Sequence, residues 1–265
     1  MIKEFQNKNQ WALILGGSSG LGLATAKKLA RHGMNICIIH RNPRLQEEAI
    51  QSEFEIIKQE GIRFKSFNVD AFKSEKREAI INELKSEFGD QHKIKTLVHS
   101  VAKGNLKPMT SESKPELKYD DFVLTISAMG ISLYDWTKAI FDANFFASDT
   151  RIISFTSEGN SKAWQNYAAV SAAKVTLEAI TRNIALEFAP FGIKANCIQA
   201  GVTDTSSLRL IPGSDKIIEH TLKRNPNHRL TQPEDIANAV YLLCKNEAAW
   251  ITGALIPVDG GEHLS

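Results

Sequence analysis

Leu15-Gly16-Gly17-Ser18-Ser19-Gly20-Leu21-Gly22 lies between an apolar run, Trp11 to Leu15, and an amphipathic run, Leu21 to His32. The first run reads as a buried parallel strand. The second puts Leu21, Ala24, Leu29 and Ala30 on one side of a helix. Strand, glycine turn and helix, in that order, is the setting in which a Gly-rich loop holds a dinucleotide. Glycines permit the tight turn and let backbone N–H groups approach a pyrophosphate at the helix N-terminus. The spacing is G-x-x-x-G-x-G, not the commoner G-x-G-x-x-G. Gly16, Ser18, Ser19, Gly20, Leu21 and Gly22 are the candidate cradle residues. A glycine turn of purely structural use is the alternative.

Outward from this loop, short apolar runs alternate with longer amphipathic ones. Strands are predicted at 11–16, 34–40, 62–68, 94–101, 150–156, 193–199 and 253–258. Helical patterns fall near 20–33, 43–60, 73–88, 118–146, 165–189 and 233–246. That alternation predicts an α/β fold, a doubly wound parallel sheet of seven strands with helices on both faces. No composition break or repeat divides the 265 residues, so 1–265 is read as one domain. The long segments 102–117 and 201–216 both follow strands. They should lie at the carboxyl edge of the sheet, where ligands bind in such folds.

Composition excludes several classes. A net charge of +2 argues against a general nucleic-acid binder. No apolar run approaches a membrane span, and the N-terminus lacks a signal-peptide pattern. Cys37, Cys197 and Cys244 lie in apolar runs and read as buried core residues in a reducing compartment, which implies a cytoplasmic protein. No Cys/His cluster has metal-ligand spacing, so no metal site is expected.

Two further groups carry chemistry. Tyr167-Ala-Ala-Val-Ser-Ala-Ala-Lys174 sets a tyrosine and a lysine seven positions apart in a helical pattern, close to two turns and so on one face. An ammonium near a phenol is expected to lower the phenol pKa and make it a proton donor or oxyanion stabiliser. After the second strand come His40, Arg41, Asn42, Pro43 and Arg44, with no acid between Gly22 and Glu47. An acid there would bond a ribose 2′-hydroxyl; Arg41, supported by Arg44, would instead pair with a 2′-phosphate. The expectation is NADPH, with NADH left open. Asp70, followed by Ala71, is placed either to accept from the adenine amino group or to cap the next helix.

With these residues the chain resembles the short-chain dehydrogenase/reductase superfamily from about residue 10 to 262, on the glycine loop, Asn196 to Thr205, Arg229-Leu-Thr-Gln-Pro-Glu-Asp-Ile-Ala237 and Val258-Asp-Gly-Gly261. Ordinary members carry Tyr-x-x-x-Lys, Asn-Asn-Ala-Gly after the fourth strand and an asparagine in the fourth helix. Here those positions are Val170, His99-Ser-Val-Ala102 and Ser127. All three, with Ala200-Gly201 and the spacing from Gly159 to Tyr167, are similar to the enoyl-acyl-carrier-protein reductase branch. The resemblance implies a Rossmann-like fold in which Ser100, Val101, Ala102, Gly201, Val202, Thr203 and Thr205 line the cofactor. Lys174 would bond the nicotinamide ribose. It also implies a homotetramer built through helices 118–146 and 165–189.

The implied chemistry is reduction of an enoyl thioester by NADPH in fatty-acid synthesis, with hydride delivered to the β-carbon and Tyr167 stabilising the enolate. In ketone reduction the oxyanion forms on the carbon that receives hydride; in conjugate reduction it forms two bonds away. Moving the tyrosine three positions along a helix shifts it roughly 4.5 Å while Lys174 stays. Where many members of the branch have an aromatic residue, ten positions before the tyrosine, this chain has Ser157, expected to line the site. Its neighbours Ser154 and Thr156 read rather as satisfied strand-end groups.

A substrate loop is expected near 201–229. Leu208, Leu210 and Ile211 either close over an acyl chain or simply pack on the domain. Arg209, Lys216, Lys223 and Arg224 either attract an acidic acyl-carrier protein or form a solvated basic face. His40, His92, His220, His228 and His263 are expected on the surface, and His99 near the cofactor by its backbone. Trp11, Trp136, Trp164 and Trp250 are expected in core or interface packing. Two other functions compete: a 3-ketoacyl-thioester reductase or other alcohol dehydrogenase of the same superfamily, and an NADPH-binding sensor without turnover.

Overall fold

Strand β1 (Gln10–Leu15) is hydrogen-bonded on both sides, to β2 (Asn35–His40) and to β4 (Lys93–His99), and both pairings are parallel. With β3 (Phe64–Asn68), β5 (Phe146–Ser157), β6 (Ile193–Ala200) and β7 (Leu255–Val258) it forms a seven-stranded sheet in the order β3-β2-β1-β4-β5-β6-β7. This computed structural model describes residues 3–264. The order reverses between β1 and β4, so a crevice opens there outside the carboxyl ends of the strands.

The strands are apolar on both faces because helices cover both. Trp11, Leu13 and Leu15 of β1 enter one core cluster with Leu97, Trp136, Ala173 and Leu177. Ala12 and Ile14, pointing the other way, join Ile36, Ile38, Val98, Ile153 and Ile198 in a second. The period of two in a strand divides one run of sequence between two cores. Helices α1 (Gly20–Arg31), α2 (Glu47–Lys58) and α9 (Pro233–Cys244) supply the second cluster. Helices α3 (Ser74–Phe88), α5 (Ser132–Asp142) and α6 (Ala168–Glu187) supply the first. Between α4 (Tyr119–Ile126) and α5 the chain makes one wide turn, Ser127–Ile131, and Ser127 is exposed at its start.

All seven expected strands are present. The helical pattern 165–189 begins later than expected, at Ala168, leaving Tyr167 as its N-cap. The segment 201–216 is not a plain loop: it holds α7 (Ser206–Arg209) and the start of α8 (Ser214–Arg224). α7 is a single turn, and α8 is polar overall with a narrow apolar stripe of Ile217, Ile218 and Leu222. Segment 102–117 has no regular structure.

Cys37, Cys197 and Cys244 are buried as free thiols. Two of the five histidines expected on the surface are not there. His40 and His92 are 7% and 9% exposed. His92 Nδ1 accepts from Trp11 Nε1 at 3.0 Å, and His40 Nδ1 lies 2.9 Å from Asn42 Oδ1. Burial lowers both imidazole pKa values. Trp11 and Trp136 are core residues, while Trp250 is 97% exposed, which removes the core alternative for it and leaves that of an interface.

The turn after β1 requires glycine. Gly16 has φ +81° and a Cβ there would run into the Ser100 carbonyl oxygen. Gly16→Ala is expected to cost about 2–4 kcal/mol in urea unfolding, from the left-handed backbone and the displaced strand end. Gly61→Ala, where φ is +75° and nothing lies within 4 Å, should cost only the backbone share. Equal losses would overturn this account of the turn.

Candidate active site

Four strand ends converge on the crevice. Ser100 N–H donates to the Leu15 carbonyl at 2.9 Å, and Gly16 N–H to the Ile39 carbonyl at 2.8 Å, which locks the loop to β2 and β4. A Cβ on Gly22 would lie 3.0 Å from Ser100 Oγ, and one on Gly20 would lie 3.5 Å from the Thr205 methyl. Gly16, Gly20, Gly22, Ser100 and Thr205 are thereby brought together from three separate parts of the chain. Ser19 is the N-cap of α1, with extended backbone and no side-chain capping bond, and Leu21 opens the helix. Ser18 Oγ donates to Asn42 Oδ1 at 2.8 Å, tying the loop to the end of β2. A cradle with no room for a Cβ at Gly16 or Gly22, facing a helix N-terminus, fits a bound pyrophosphate.

The flanks of the crevice are more occupied than the motifs implied. Arg41 Nη1 donates to Asp70 Oδ2 at 2.7 Å, so the two residues expected to read the 2′-phosphate and the adenine face are an ion pair. Asp70 Oδ1 also accepts from Phe72 N–H at 3.1 Å, a local turn. It is not the cap of α3, whose N-cap is Lys73. Ala71 gives its carbonyl to Trp136 Nε1 at 3.0 Å. Val101 is buried while Ala102 is exposed. Val202 N–H donates to Glu262 Oε2 at 3.1 Å and its carbonyl accepts from Thr231. Thr203 Oγ1 donates to the Gly201 carbonyl, and Thr205 Oγ1 caps α7 through Leu208 N–H.

Ser157, the last residue of β5, and Tyr167 meet: Ser157 Oγ lies 3.3 Å from Tyr167 Oη. The ring edge of Tyr167 presses on Gly159, where any Cβ would sit inside contact distance of the ring. One turn on, at the position of the ordinary family tyrosine, Val170 is 5% exposed in the core. A Cβ on Gly104 would lie 3.0 Å from Val170 Cγ2, so segment 102–117 packs down on that position.

Lys174 is buried, and its Nζ donates to the Phe155 carbonyl at 2.7 Å. Burial pulls its pKa down to about 8, with Glu178 among the groups opposing the shift. The expected effect of Lys174 on Tyr167 is corrected. Burial raises the phenol pKa, and the hydrogen bond with Ser157 recovers part of the shift. The seven-residue spacing put the two on one face but could not say how dry that face would be. Tyr167 is therefore a protonated donor near neutral pH, not a phenolate. His99 is fully buried, held neutral by burial and by Lys174, with its pKa pushed down to about 3. Ser132 Oγ donates to the Ala128 carbonyl and so accepts from His99 Nε2 at 2.8 Å. Ser154 and Thr156 are satisfied in the fold, by Thr181 Oγ1 at 2.9 Å and Glu178 Oε1 at 2.6 Å.

The segment 201–224 is tied to this region at its two ends, by Thr205 beside Gly20 and by Arg224 on Glu158. Leu208 is buried, Ile211 half-buried and Leu210 is 73% exposed. The basic patch expected here is largely neutralised. Arg209 pairs with Asp204 and Asp215, and Lys223 with Glu219. Arg224 turns inward, its side chain only 9% exposed against Glu158 and Glu262. Those two carboxylates were not anticipated: their distance in sequence from Arg224 leaves no periodic trace. Among the described residues no group of three His, Cys, Asp or Glu could hold a metal ion. No helix among them is long and apolar enough to cross a membrane.

Comparison with known proteins agrees with this fold. The family model described as enoyl-(acyl carrier protein) reductase matches residues 16–263. A peroxisomal 2,4-dienoyl-CoA reductase of Danio rerio is 27% identical over 258 residues, covering 97% of this chain and 82% of the relative. A 3-oxoacyl-[acyl-carrier-protein] reductase of Chlamydia muridarum is 26% identical over 255 residues, covering 96% and 97%. The crystal structure of enoyl-[acyl-carrier-protein] reductase (NADH) from Aquifex aeolicus shares the fold, at 24% identity and a TM-score of 0.81 over 98% of both chains. The chain belongs to the short-chain dehydrogenase/reductase superfamily, oxidoreductases whose fold implies a nicotinamide cofactor.

Proposed function

We propose that this chain reduces the 2,3 double bond of an enoyl thioester with NADPH, the acyl group being carried on an acyl-carrier protein. The observation that carries the proposal is the placement of the phenol. Tyr167 is backed by Gly159 and bonded to Ser157, while the ordinary tyrosine position is a valine buried under Gly104. A donor so displaced suits an oxyanion that forms on the thioester carbonyl, away from the carbon that receives hydride.

When bound, the nicotinamide supplies that hydride. The protein supplies the rest. Tyr167 donates its hydrogen bond to the thioester oxygen as charge develops there, and Ser157 orients the phenol. Lys174 holds positive charge beside the site and would bond the ribose hydroxyls. Segment 201–224 excludes water above the acyl chain. Arg41, held by Asp70, is the group that would meet a 2′-phosphate. A second reading, reduction of a 3-ketoacyl thioester, draws on the same Ser157–Tyr167 pair, which can also polarise a ketone. Val123, Leu124, Ile131, Tyr134 and Val175 are exposed on α4–α6, and we assign that face to a homotetramer.

Five measurements test this. Following NADPH absorbance, a trans-2-enoyl thioester should be reduced and a 3-ketoacyl thioester should not; the reverse would transfer the assignment to ketone reduction. NADH should turn over more slowly than NADPH. Tyr167→Phe should lower kcat about 100-fold or more with little change in NADPH affinity, and near-full activity would remove Tyr167 from its role. Tyr167 stays protonated throughout, whereas the Lys174 ammonium is lost as pH rises through about 8. The rate should therefore fall on the alkaline side near pH 8, and a flat profile to pH 10 would contradict a charged Lys174. A monomeric mass in solution would remove the tetramer.

A further inference from the structure

Arg224 is the last residue of α8, yet its side chain reaches two distant segments. Nη1 and Nη2 donate to Glu158 Oε1 and Oε2 at 3.1 and 2.6 Å, and Nη2 also reaches Glu262 Oε1 at 2.8 Å. Glu158 directly follows Ser157 and precedes the Gly159 on which the Tyr167 ring rests. Glu262, 2% exposed, uses its other oxygen to hold Val202 N–H at 3.1 Å. A Cβ on Gly201 would lie 2.9 Å from that same oxygen, so the turn after β6 is pressed onto Glu262.

A buried ion pair of this kind is a poor source of net stability, because desolvation takes back most of the attraction. Its orientation is another matter. The guanidinium fork is planar and rigid, and a bidentate carboxylate cannot rotate in it. Burial pushes the Glu158 carboxyl up, but its bonds to Arg224 and Lys162 outweigh this, and it stays ionised at neutral pH.

We propose that Arg224 is a positioning residue: through Glu158 it sets Ser157 and the Tyr167 ring, and through Glu262 it sets Val202, both relative to the substrate helix α8. The inference rests on Ser157 and Tyr167 being the reacting pair proposed above. The placement of α8 and the alignment of the phenol are then coupled, because one side chain is shared by both.

The test compares Glu158→Gln, Arg224→Lys, Arg224→Met and the double variant Glu158→Gln/Arg224→Met in the full chain. Amide hydrogen exchange read by mass spectrometry should show about tenfold faster exchange in peptides 157–167 and 200–205 for Arg224→Met and Glu158→Gln. Arg224→Lys should restore part of the protection. In NADPH oxidation, kcat should fall about 10–100-fold, with NADPH affinity moving less than about threefold, and the double variant should be no worse than the poorer single one. Exchange changes confined to 206–224, an unchanged kcat, or losses that multiply in the double variant would each overturn the proposal. If Arg224→Met does not fold, the isosteric Glu158→Gln and the charge-keeping Arg224→Lys decide it. If the wild type does not reduce an enoyl thioester, the proposed function fails while the exchange result still judges the clamp.

Discussion

A buried ammonium held by a backbone carbonyl is the constraint around which the site is organised. Lys174 sits on α6 and donates to the Phe155 carbonyl of β5, so helix and strand are tied where the chemistry takes place. Its pKa, drawn from 10.5 to about 8, corresponds to roughly 3 kcal/mol against the charged form. Stability and function pull in opposite directions here. Between pH 8 and 10.5 the native lysine is neutral while the unfolded one is still charged, so this group makes the fold more stable as pH rises. The proposed chemistry uses the ammonium, which exists below that window. A fold that tolerates this cost at neutral pH keeps the charge for reasons other than stability.

The same tie explains how the tyrosine could change place. The lysine is anchored to the strand independently of the phenol, so the helix can carry its proton donor at a different position without disturbing the cofactor side. Two glycines set the two outcomes. Gly159 makes room for the Tyr167 ring, and Gly104 lets segment 102–117 descend on Val170 and fill the space the ordinary phenol would take. Moving the donor along α6 is therefore coupled to loops on both sides of it, and a single exchange of Val170 for tyrosine would meet a closed wall.

Much of the fold is legible in the sequence alone. The apolar run Trp11–Leu15, the glycine turn and the amphipathic helix after it are local, and local pattern is what a sequence records directly. Strands buried on both faces and the two long segments at the carboxyl edge follow from the period of two and the alternation of strand and helix; Tyr167 precedes the first helical residue of α6, where a period of 3.6 no longer applies. The helices α7 and α8 escaped because they are short or polar and owe their existence to what they pack on. His40 and His92 were misplaced for a related reason: a histidine at the end of an apolar strand, or near a tryptophan, gives no local sign of how deeply it is covered.

The sequence by itself determined the seven strands, the glycine turn after the first of them and the seven-residue spacing of Tyr167 and Lys174, because each depends on residues within a few turns of one another. Only the tertiary structure decided the direction of the Tyr167 pKa shift, the joining of Arg41 to Asp70, and the inward turn of Arg224 onto Glu158 and Glu262. These depend on how much water is removed and on which distant charge arrives. Both are properties of the packed chain, with contacts between residues 66 and 38 positions apart that no period in the sequence encodes.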